Sequence, residues 1–191
     1  MSMSQPVPER EEELGWEAWI NKEFVHCRGL QKQYSLMEEA RRIRNAPRVI
    51  KAKELAWQGG PQHWNKYLMC PAYDMMQSIE SHIEDMAPGA RSQNHGHMNE
   101  AVFYILEGQG YEIHDGKRYD WKAGDCVIVH NACVHQHFNA SDRERVKAIV
   151  IKTKPLYILM NLLFQQDVEK IPKEPTPGWE HYHPELPLES A

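Results

Sequence analysis

The residues of this chain best suited to chemistry are two pairs of histidines with the same spacing. His95 and His97 lie two positions apart, and His135 and His137 repeat the arrangement further along the chain. On a β-strand, residues two apart point to the same face, so each pair would direct both imidazoles to one side of a sheet. Imidazole is a good ligand for iron, zinc, copper or nickel. The paired spacing therefore predicts a metal site within a β-structure, rather than ordinary surface or core histidines.

The segment around these histidines is rich in short strands. From about residue 65, runs such as AVFYILEG, CVIVH and VKAIVIKT carry β-branched and aromatic residues and are separated by turn signals. Asp115 and Gly116 suit a two-residue type I′ hairpin, because both positions of that turn need a positive φ. Many short antiparallel strands at close spacing predict a sandwich or barrel. An antiparallel barrel can place the two histidine strands side by side and turn four imidazoles toward one interior point.

The two ends of the chain have a different character. Residues 9 to about 58 are rich in Glu, Ala, Arg and Leu, which predicts helices packed on the outside of the sheet. After Pro155 an apolar stretch predicts a short helix, and a Pro-rich tail follows that wraps the surface or stays extended. We expect one globular domain with a helical N-terminal extension over 1–64, a barrel over 65–155, and a helix with its tail over 156–191.

Composition and charge indicate which binding partners and which cellular compartment to expect. The chain has 191 residues and a formal net charge of −5, which gives no general attraction to nucleic acid or anionic lipid. The N-terminus lacks an apolar signal segment, no run approaches the roughly 20 apolar residues of a membrane helix, and the four cysteines form no CxxC pair. We therefore expect a soluble cytoplasmic protein with reduced thiols, no nucleic-acid partner and no membrane partner.

Two segments of the strand-rich half resemble the motifs of the cupin superfamily. GARSQNHGHMNEAVFYILEG, over 89–108, has the Gly, five residues, HxH and closing Gly of the first motif. GDCVIVHNACVHQHFN, over 124–139, resembles the second motif, with His130 in place of its usual Pro and Ala132 in place of its second Gly. The resemblance implies a mainly β, jelly-roll antiparallel barrel that binds one divalent metal ion through His95, His97 and His135.

The chain departs from the usual cupin ligand set in one respect. Many cupins add a glutamate ligand at the position that Ala101 occupies here, and Glu100 lies one residue out of register. A one-residue slip turns a strand side chain to the opposite face, so Glu100 should point away unless a bulge redirects it. A three-histidine site and an HxHxN second motif make the chain similar to gentisate 1,2-dioxygenases, which use ferrous iron but carry two cupin domains where this chain has one.

A second departure concerns the substrate. In gentisate dioxygenases an arginine grips the substrate carboxylate at the position of Phe103. Without that bidentate clamp, a neutral and more apolar aromatic is expected, in contact with Phe103 and Ile105 on the inward face. Gln93 and Ala101 are also expected to line the pocket. His130, near the barrel mouth, is either functional or merely tolerated.

The resemblance favours Fe(II) as the metal, with Mn, Ni, Zn or Cu as alternatives. It implies an oxidoreductase of aromatic-compound catabolism, a dioxygenase that uses O2 to cleave a dihydroxy-aromatic or related diol or enediol. His137 is the candidate acid/base, because its ordinary pKa suits proton transfer near neutrality. An alternative role for His137 is to orient a metal ligand.

Two other functions fit the same residues. One is an oxygen-independent metal cupin, such as a lyase, isomerase, decarboxylase or hydrolase, because the fold supports many chemistries. The other is a cupin that binds a small molecule without turnover. A homodimer is expected, by resemblance and because short barrels often cover their edge strands with a partner.

Overall fold

The computed structural model describes residues 45–70 and 78–188, and this part of the chain is mainly β. Eleven strands are present: β1 (Gln58–Gly59), β2 (His63–Met69), β3 (Glu80–Met86), β4 (Asn94–His97), β5 (Ala101–Glu107), β6 (Gln109–His114), β7 (Lys117–Lys122), β8 (Cys126–Val129), β9 (Val134–Asn139), β10 (Val146–Lys152) and β11 (Gln165–Glu169). An α-helix, α1, spans Lys154–Leu159. The predicted mainly β fold class is confirmed.

The strands form two antiparallel sheets. The first has six strands in the order β1-β2-β3-β10-β5-β8, and the second has five in the order β11-β4-β9-β6-β7. The hydrophobic core draws residues from both sheets and lies between them. The arrangement is the predicted jelly roll, but the two sheets do not join into a continuous closed barrel.

Alternation along the central strands builds the core. β10 pairs with β5 so that Val150 faces Phe103 and Ala148 faces Ile105, and all four side chains are at most 4% exposed. The intervening residues of both strands point outward, as the period of two requires. Burial of this apolar row holds the register of the six-stranded sheet, since a slip of one residue would expose it.

The tight turn between β6 and β7 follows the sequence prediction. Asp115 and Gly116 both adopt positive φ, of 47° and 83°, and His114 pairs with Lys117 across the hairpin. The Asp115 carboxylate also accepts a hydrogen bond of 3.0 Å from the backbone N–H of Val134. The turn therefore anchors the start of β9, the strand that carries His135.

The predicted N-terminal helices lie mostly outside the described residues. Between 46 and 58 the helical prediction is wrong, because the chain there forms only a 3-10 turn at Ala52–Glu54 before β1 begins at Gln58. Pro47 interrupts the backbone hydrogen bonding of any helix, and Lys51 to Glu54 are exposed, so no apolar face stabilises one. The division of the chain at residues 64 and 155 stays a prediction.

The C-terminal part follows the prediction in outline and adds one strand. The short helix after Pro155 is α1. Within the described part of the chain, no helix is both long enough and apolar enough to span a lipid bilayer.

β11 was not predicted, because all five of its residues are exposed and show no alternation of apolar side chains. It pairs with β4 and extends the second sheet.

The Pro-rich tail lies against the first sheet, as expected. The Thr176 hydroxyl lies 2.7 Å from the Gln62 side-chain oxygen, and the Lys66 amine lies 3.1 Å from the Glu185 carboxylate. The Tyr182 hydroxyl donates a hydrogen bond to the fully buried carboxylate of Asp85. Burial raises the pKa of Asp85, although Tyr182 and the nearby Lys147 oppose the shift. Tyr182 thus joins the tail to a buried polar group of β3.

We expect Tyr182→Phe to lower the free energy of unfolding by about 1–3 kcal/mol, because Asp85 loses a buried donor. Urea unfolding monitored by tryptophan fluorescence measures the change. Tyr119→Phe, which alters a hydroxyl on a half-exposed ring, is the matched control and should change stability by less than about 0.5 kcal/mol. Equal stability of the two variants would contradict a tail held by this hydrogen bond.

Candidate metal centre

The pairing of β4 with β9 brings the three predicted ligands together. His95 is the direct cross-strand partner of His135, and His97 lies two residues further along the same face of β4. The imidazole centroids are 4.3 Å apart for His95 and His135, 4.8 Å for His97 and His135, and 5.2 Å for His95 and His97. One nitrogen from each ring lies within 4.8 Å of the others, and all three residues are at most 6% exposed.

Backbone carbonyls orient the three rings in the same way. The Nδ1 atom of His97 lies 2.7 Å from the carbonyl oxygen of Asn99, and that of His135 lies 3.1 Å from the carbonyl oxygen of Cys133. The corresponding distance from His95 to Gln93 is 3.5 Å. When Nδ1 carries the proton and donates it to a carbonyl, Nε2 presents a lone pair. The arrangement therefore leaves three Nε2 atoms available for one cation.

The electrostatic environment keeps these imidazoles neutral. Burial lowers the pKa of His95 to about 3, of His97 to about 4 and of His135 to about 2. The charge of His137 adds to the effect on His95 and His135, and that of Lys152 adds to the effect on His97. A neutral imidazole can bind a metal without first losing a proton. The residues present therefore fit a divalent cation.

No carboxylate belongs to this cluster in the described residues. Glu100 is exposed, and only its backbone oxygen is engaged, accepting a hydrogen bond of 3.2 Å from the Thr153 N–H. Ala101, at the position of the usual glutamate ligand, is 1% exposed and belongs to the hydrophobic core. The one-residue register argument for Glu100 agrees with this placement, and the doubtful ligand does not join the three histidines.

His137 lies beside the cluster but faces a different partner. Its ring is 5.2 Å from that of His135 and 4.5 Å from that of Phe103. Its Nδ1 atom lies 2.8 Å from a carboxylate oxygen of Glu112, the residue opposite it on β6. The same carboxylate contacts His114. Three of the four paired histidines therefore share one point, and the fourth forms a buried imidazole–carboxylate pair.

Glu112 and His137 adjust each other's charge. Burial opposes ionisation of Glu112, but His137 and His114 more than offset it, so the pKa of this carboxyl is lowered. Burial also favours the neutral form of His137, but Glu112 outweighs it and raises the pKa of that imidazole. Both side chains are at most 4% exposed. The pair can therefore hold a proton next to the candidate metal position, away from bulk water.

The histidine cluster opens into a cavity of about 140 Å³ between the sheets. Most of its wall is polar or charged. The lining residues are His63, Asn65, Tyr67, His82, Glu84, Ser92, Gln93, His95, His97, Asn99, Phe103, His135, His137, Lys152, Lys154 and Gln165. The predicted pocket residues Gln93 and Phe103 are among them.

Three other predicted positions lie elsewhere. Ala101 and Ile105 share the inward parity of Phe103 but are packed in the hydrophobic core, at 1% and 2% exposed. His130 is exposed in the turn before β9 and does not line the cavity. Among the described lining residues, Phe103 alone has a hydrocarbon side chain. The expectation of a neutral, more apolar substrate stays a prediction, although the wall is built mainly from polar and charged groups.

The polar wall includes residues to which the sequence gave no role. His63 lies 3.1 Å from the carboxylate of Glu84, and His82 lies 4.0 Å from its other oxygen. Burial opposes ionisation of Glu84, but His63 more than offsets it and holds the pKa of the carboxyl well below its usual range. Burial and the charge of Lys152 lower the pKa of His82.

These residues escaped prediction because β3 offers no apolar alternation. Its segment ESHIEDM carries polar side chains on both faces, so parity does not reveal which face is inward. Lys152 continues the alternation of β10, which indicates an inward position. A lysine at a strand end is ordinarily solvated, however, so the pattern did not single it out. Glu112 has inward parity on β6, yet its position opposite His137 depends on a register that sequence spacing does not fix.

Comparisons with known proteins agree with this fold. Residues 82–152 match the cupin domain family, and no curated protein matches the sequence. The salicylate 1,2-dioxygenase of Pseudaminobacter salicylatoxidans is similar over 60% of this chain and 33% of its own length, with 13% identity and a TM-score of 0.52. Its structure with gentisate is similar over 71% and 36%, with 12% identity and a TM-score of 0.53.

An oxalate decarboxylase variant from Bacillus subtilis is similar over 55% of this chain and 29% of its own, with 20% identity and a TM-score of 0.50. This chain thus spans about one third of the length of these solved structures. At such identities the likeness concerns the fold. The family match over residues 82–152 and the arrangement of two facing antiparallel sheets agree on a cupin fold for this part of the chain.

Proposed function

We propose that this protein is a metal-dependent enzyme, an Fe(II) dioxygenase that cleaves a dihydroxy-aromatic or related diol or enediol. The observation that carries the proposal is the cluster of three buried, neutral imidazoles without a carboxylate, facing a polar cavity. His95, His97 and His135 hold the ion. Because all three ligands are neutral, the ion keeps its full positive charge and favours two anionic substrate oxygens.

A ferrous ion bound there would supply Lewis acidity toward the substrate oxygens and electrons for reaction with O2. The chain itself supplies binding, orientation and proton transfer. The ring centroids of Phe103 and His137 are 4.5 Å apart, and the Phe103 ring forms a flat apolar wall for an aromatic substrate. Manganese, nickel, zinc or copper would also fit three imidazoles.

Two amide oxygens are suited to the substrate's hydroxyl groups. Among the described residues, the side-chain oxygens of Gln93 and Asn99 are buried without a hydrogen-bond partner, and both residues line the cavity. An unsatisfied buried acceptor costs about 1–3 kcal/mol, which a hydroxyl donor on the ligand would recover. Both amides therefore favour a hydroxylated ligand over a hydrocarbon.

His137 is the proposed acid/base. It lies beside the cluster, and Glu112 positions it through a hydrogen bond of 2.8 Å to Nδ1. Nε2 of the ring is then left to exchange a proton with the substrate. Glu112 does not reach the substrate in this proposal and acts through His137.

The solved structures support an enzyme and do not choose its reaction. The salicylate 1,2-dioxygenase favours a dioxygenase reaction, and the oxalate decarboxylase favours a decarboxylation at a similar fold. The buried imidazole–carboxylate pair, which can store a proton, is compatible with both. A homodimer stays a prediction.

Removing one ligand tests the metal site. We expect His135→Ala and His97→Ala to lose the bound metal, because two imidazoles cannot hold the ion as tightly as three. Elemental analysis of the purified variants measures the metal per chain, and circular dichroism checks the fold. His130→Ala, at an exposed histidine outside the cavity, is the control and should keep the wild-type metal content. Equal metal content in all the variants would place the ion elsewhere.

Oxygen uptake tests the reaction class. We expect the iron-loaded, reduced protein to consume O2 with at least one member of a panel of catechols, hydroquinones and their carboxylic acids. An oxygen electrode and mass spectrometry of the products measure uptake and incorporation, and iron-loaded His135→Ala is the control. Turnover under strict anaerobiosis with zinc or manganese would instead select the lyase, isomerase, decarboxylase or hydrolase class. Binding without turnover under either condition would select a binding protein.

Replacing His137 separates acid/base catalysis from ligand orientation. We expect His137→Gln to lower kcat about 100-fold, the lower range for loss of a general acid or base, while the metal content stays at the wild-type level. Steady-state kinetics and elemental analysis on the same preparation make the distinction. Loss of the metal with a proportional loss of activity would assign His137 to orienting the ligands.

A further inference from the structure

A second wall of the cavity carries positive charge. Lys152 and Lys154 both line the cavity that contains the three-histidine cluster. Lys152 is inward because β10 alternates, with Val146, Ala148 and Val150 on the same face, each at most 3% exposed. Lys152 therefore continues the inward row at the end of the strand and is itself partly buried.

The register places Lys152 close to known cavity residues. Val150, two residues before it, is the direct partner of Phe103 on one side and of His82 on the other, and both of these line the cavity. The charge of Lys152 contributes to the lowered pKa of His82 and of His97. An ammonium group and the candidate metal position thus share one enclosed space.

The carboxylates of the described residues leave the Lys152 amine without an ion pair at short range. Glu84 is engaged by His63 at 3.1 Å, and Glu80, which lies opposite Lys152 on β3, acts electrostatically on Lys154. Within the described residues, no carboxylate forms an ion pair with the Lys152 amine at 4.0 Å or less. Lys152 is partly buried, and its ammonium group is repelled by a divalent cation in the same cavity unless an anion lies between them.

We propose that Lys152, with Lys154 beside it, binds a carboxylate of the substrate, so that the substrate is a hydroxylated acid rather than a neutral phenol. This inference rests on the proposed function only in placing the substrate between the three histidines and β10. The carboxylate is separate from the two oxygens that face the metal. Its negative charge offsets the Lys152 ammonium group and the cation at once.

The lysines can supply the positive charge that an arginine supplies in gentisate dioxygenases. The absence of that arginine therefore does not exclude an acidic substrate. Phe103 occupies the place where gentisate dioxygenases carry an arginine, but the positive charge here comes from β10 and the start of α1 instead of β5. Lysine acts as a compact point charge without the fixed fork of a guanidinium. The site should therefore recognise the carboxylate by charge and distance and tolerate more than one carboxylate orientation.

Binding to the zinc-loaded protein tests this without requiring turnover. The matched probes are 3,4-dihydroxybenzoate and 4-methylcatechol, which share the two adjacent hydroxyls and differ in one carboxylate that cannot join them on the same ion. Isothermal titration calorimetry should give at least about 10-fold tighter binding of the acid to the wild type, the size expected for one charge-assisted contact.

Variants of Lys152 identify the source of that preference. Lys152→Met should weaken binding of 3,4-dihydroxybenzoate about 10-fold and leave 4-methylcatechol within a factor of about 2, while Lys152→Arg should keep most of the preference. Lys122→Met, which removes an exposed lysine of β7, is the control and should match the wild type. Lys152→Arg keeps the charge, so it also shows whether the Met variant fails through misfolding.

The possible failures are distinguishable. If both probes bind the wild type but Lys152→Met keeps the preference for the acid, the inference is wrong and the proposed function stands. If Lys152→Met lowers kcat of the iron-loaded enzyme without changing either affinity, the lysine acts in proton transfer and the inference is again wrong. If neither probe binds the zinc-loaded wild type, the inference and the proposed substrate class both fail.

Discussion

The pairing of β4 with β9 is the constraint on which the candidate site depends. Opposite residues of an antiparallel pair have their Cβ atoms about 4.5–5.5 Å apart, close enough for two imidazoles to share an ion. His95 and His135 occupy such a pair, and His97 completes the group from the same face of β4. The core on the neighbouring sheet then encloses these rings and keeps them neutral. A shift of one residue in this register would turn the ligands of one strand to the outside.

The cavity combines groups that rarely coexist in a hydrophobic core. Three neutral imidazoles, a proton-holding pair of His137 and Glu112, and two lysines lie around one small space. Buried charges are tolerated in proteins where each has a partner or a ligand to satisfy it. The apolar row of β5 and β10 beneath them supplies the stability that this polar wall does not. The site thus interrupts the hydrophobic core, and Phe103 lies where the core meets the cavity wall.

Much of the site could be predicted from the sequence, because a strand's period of two is independent of its partners. The HxH spacing and the Asp115-Gly116 turn needed only local geometry, and the resemblance supplied the third ligand, His135. The partner of His137 could not be predicted, since Glu112 meets it only through the register of β6 with β9. The two lysines of the cavity wall were missed because a lysine at a strand end is ordinarily solvated, and the inward position of Lys152 depends on the pairing of the whole sheet. Ile105 was assigned to the pocket by parity alone, which does not separate a cavity wall from the core.

β11 follows the lysine-bearing strand β10 and α1 in sequence and pairs with the histidine-bearing strand β4. The strand contributes no ligand, yet it covers the outer edge of β4, with Gln165 opposite His97 and Asp167 opposite His95. It is reached from β10 through α1, so the polypeptide leaves the lysine wall and returns directly to the histidine strand. A C-terminal truncation that removes β11 would make β4, the strand of His95 and His97, an edge strand. Its backbone would then be open to water and to pairing with other chains. The integrity of the metal centre is therefore coupled to a segment whose own side chains are exposed and chemically ordinary.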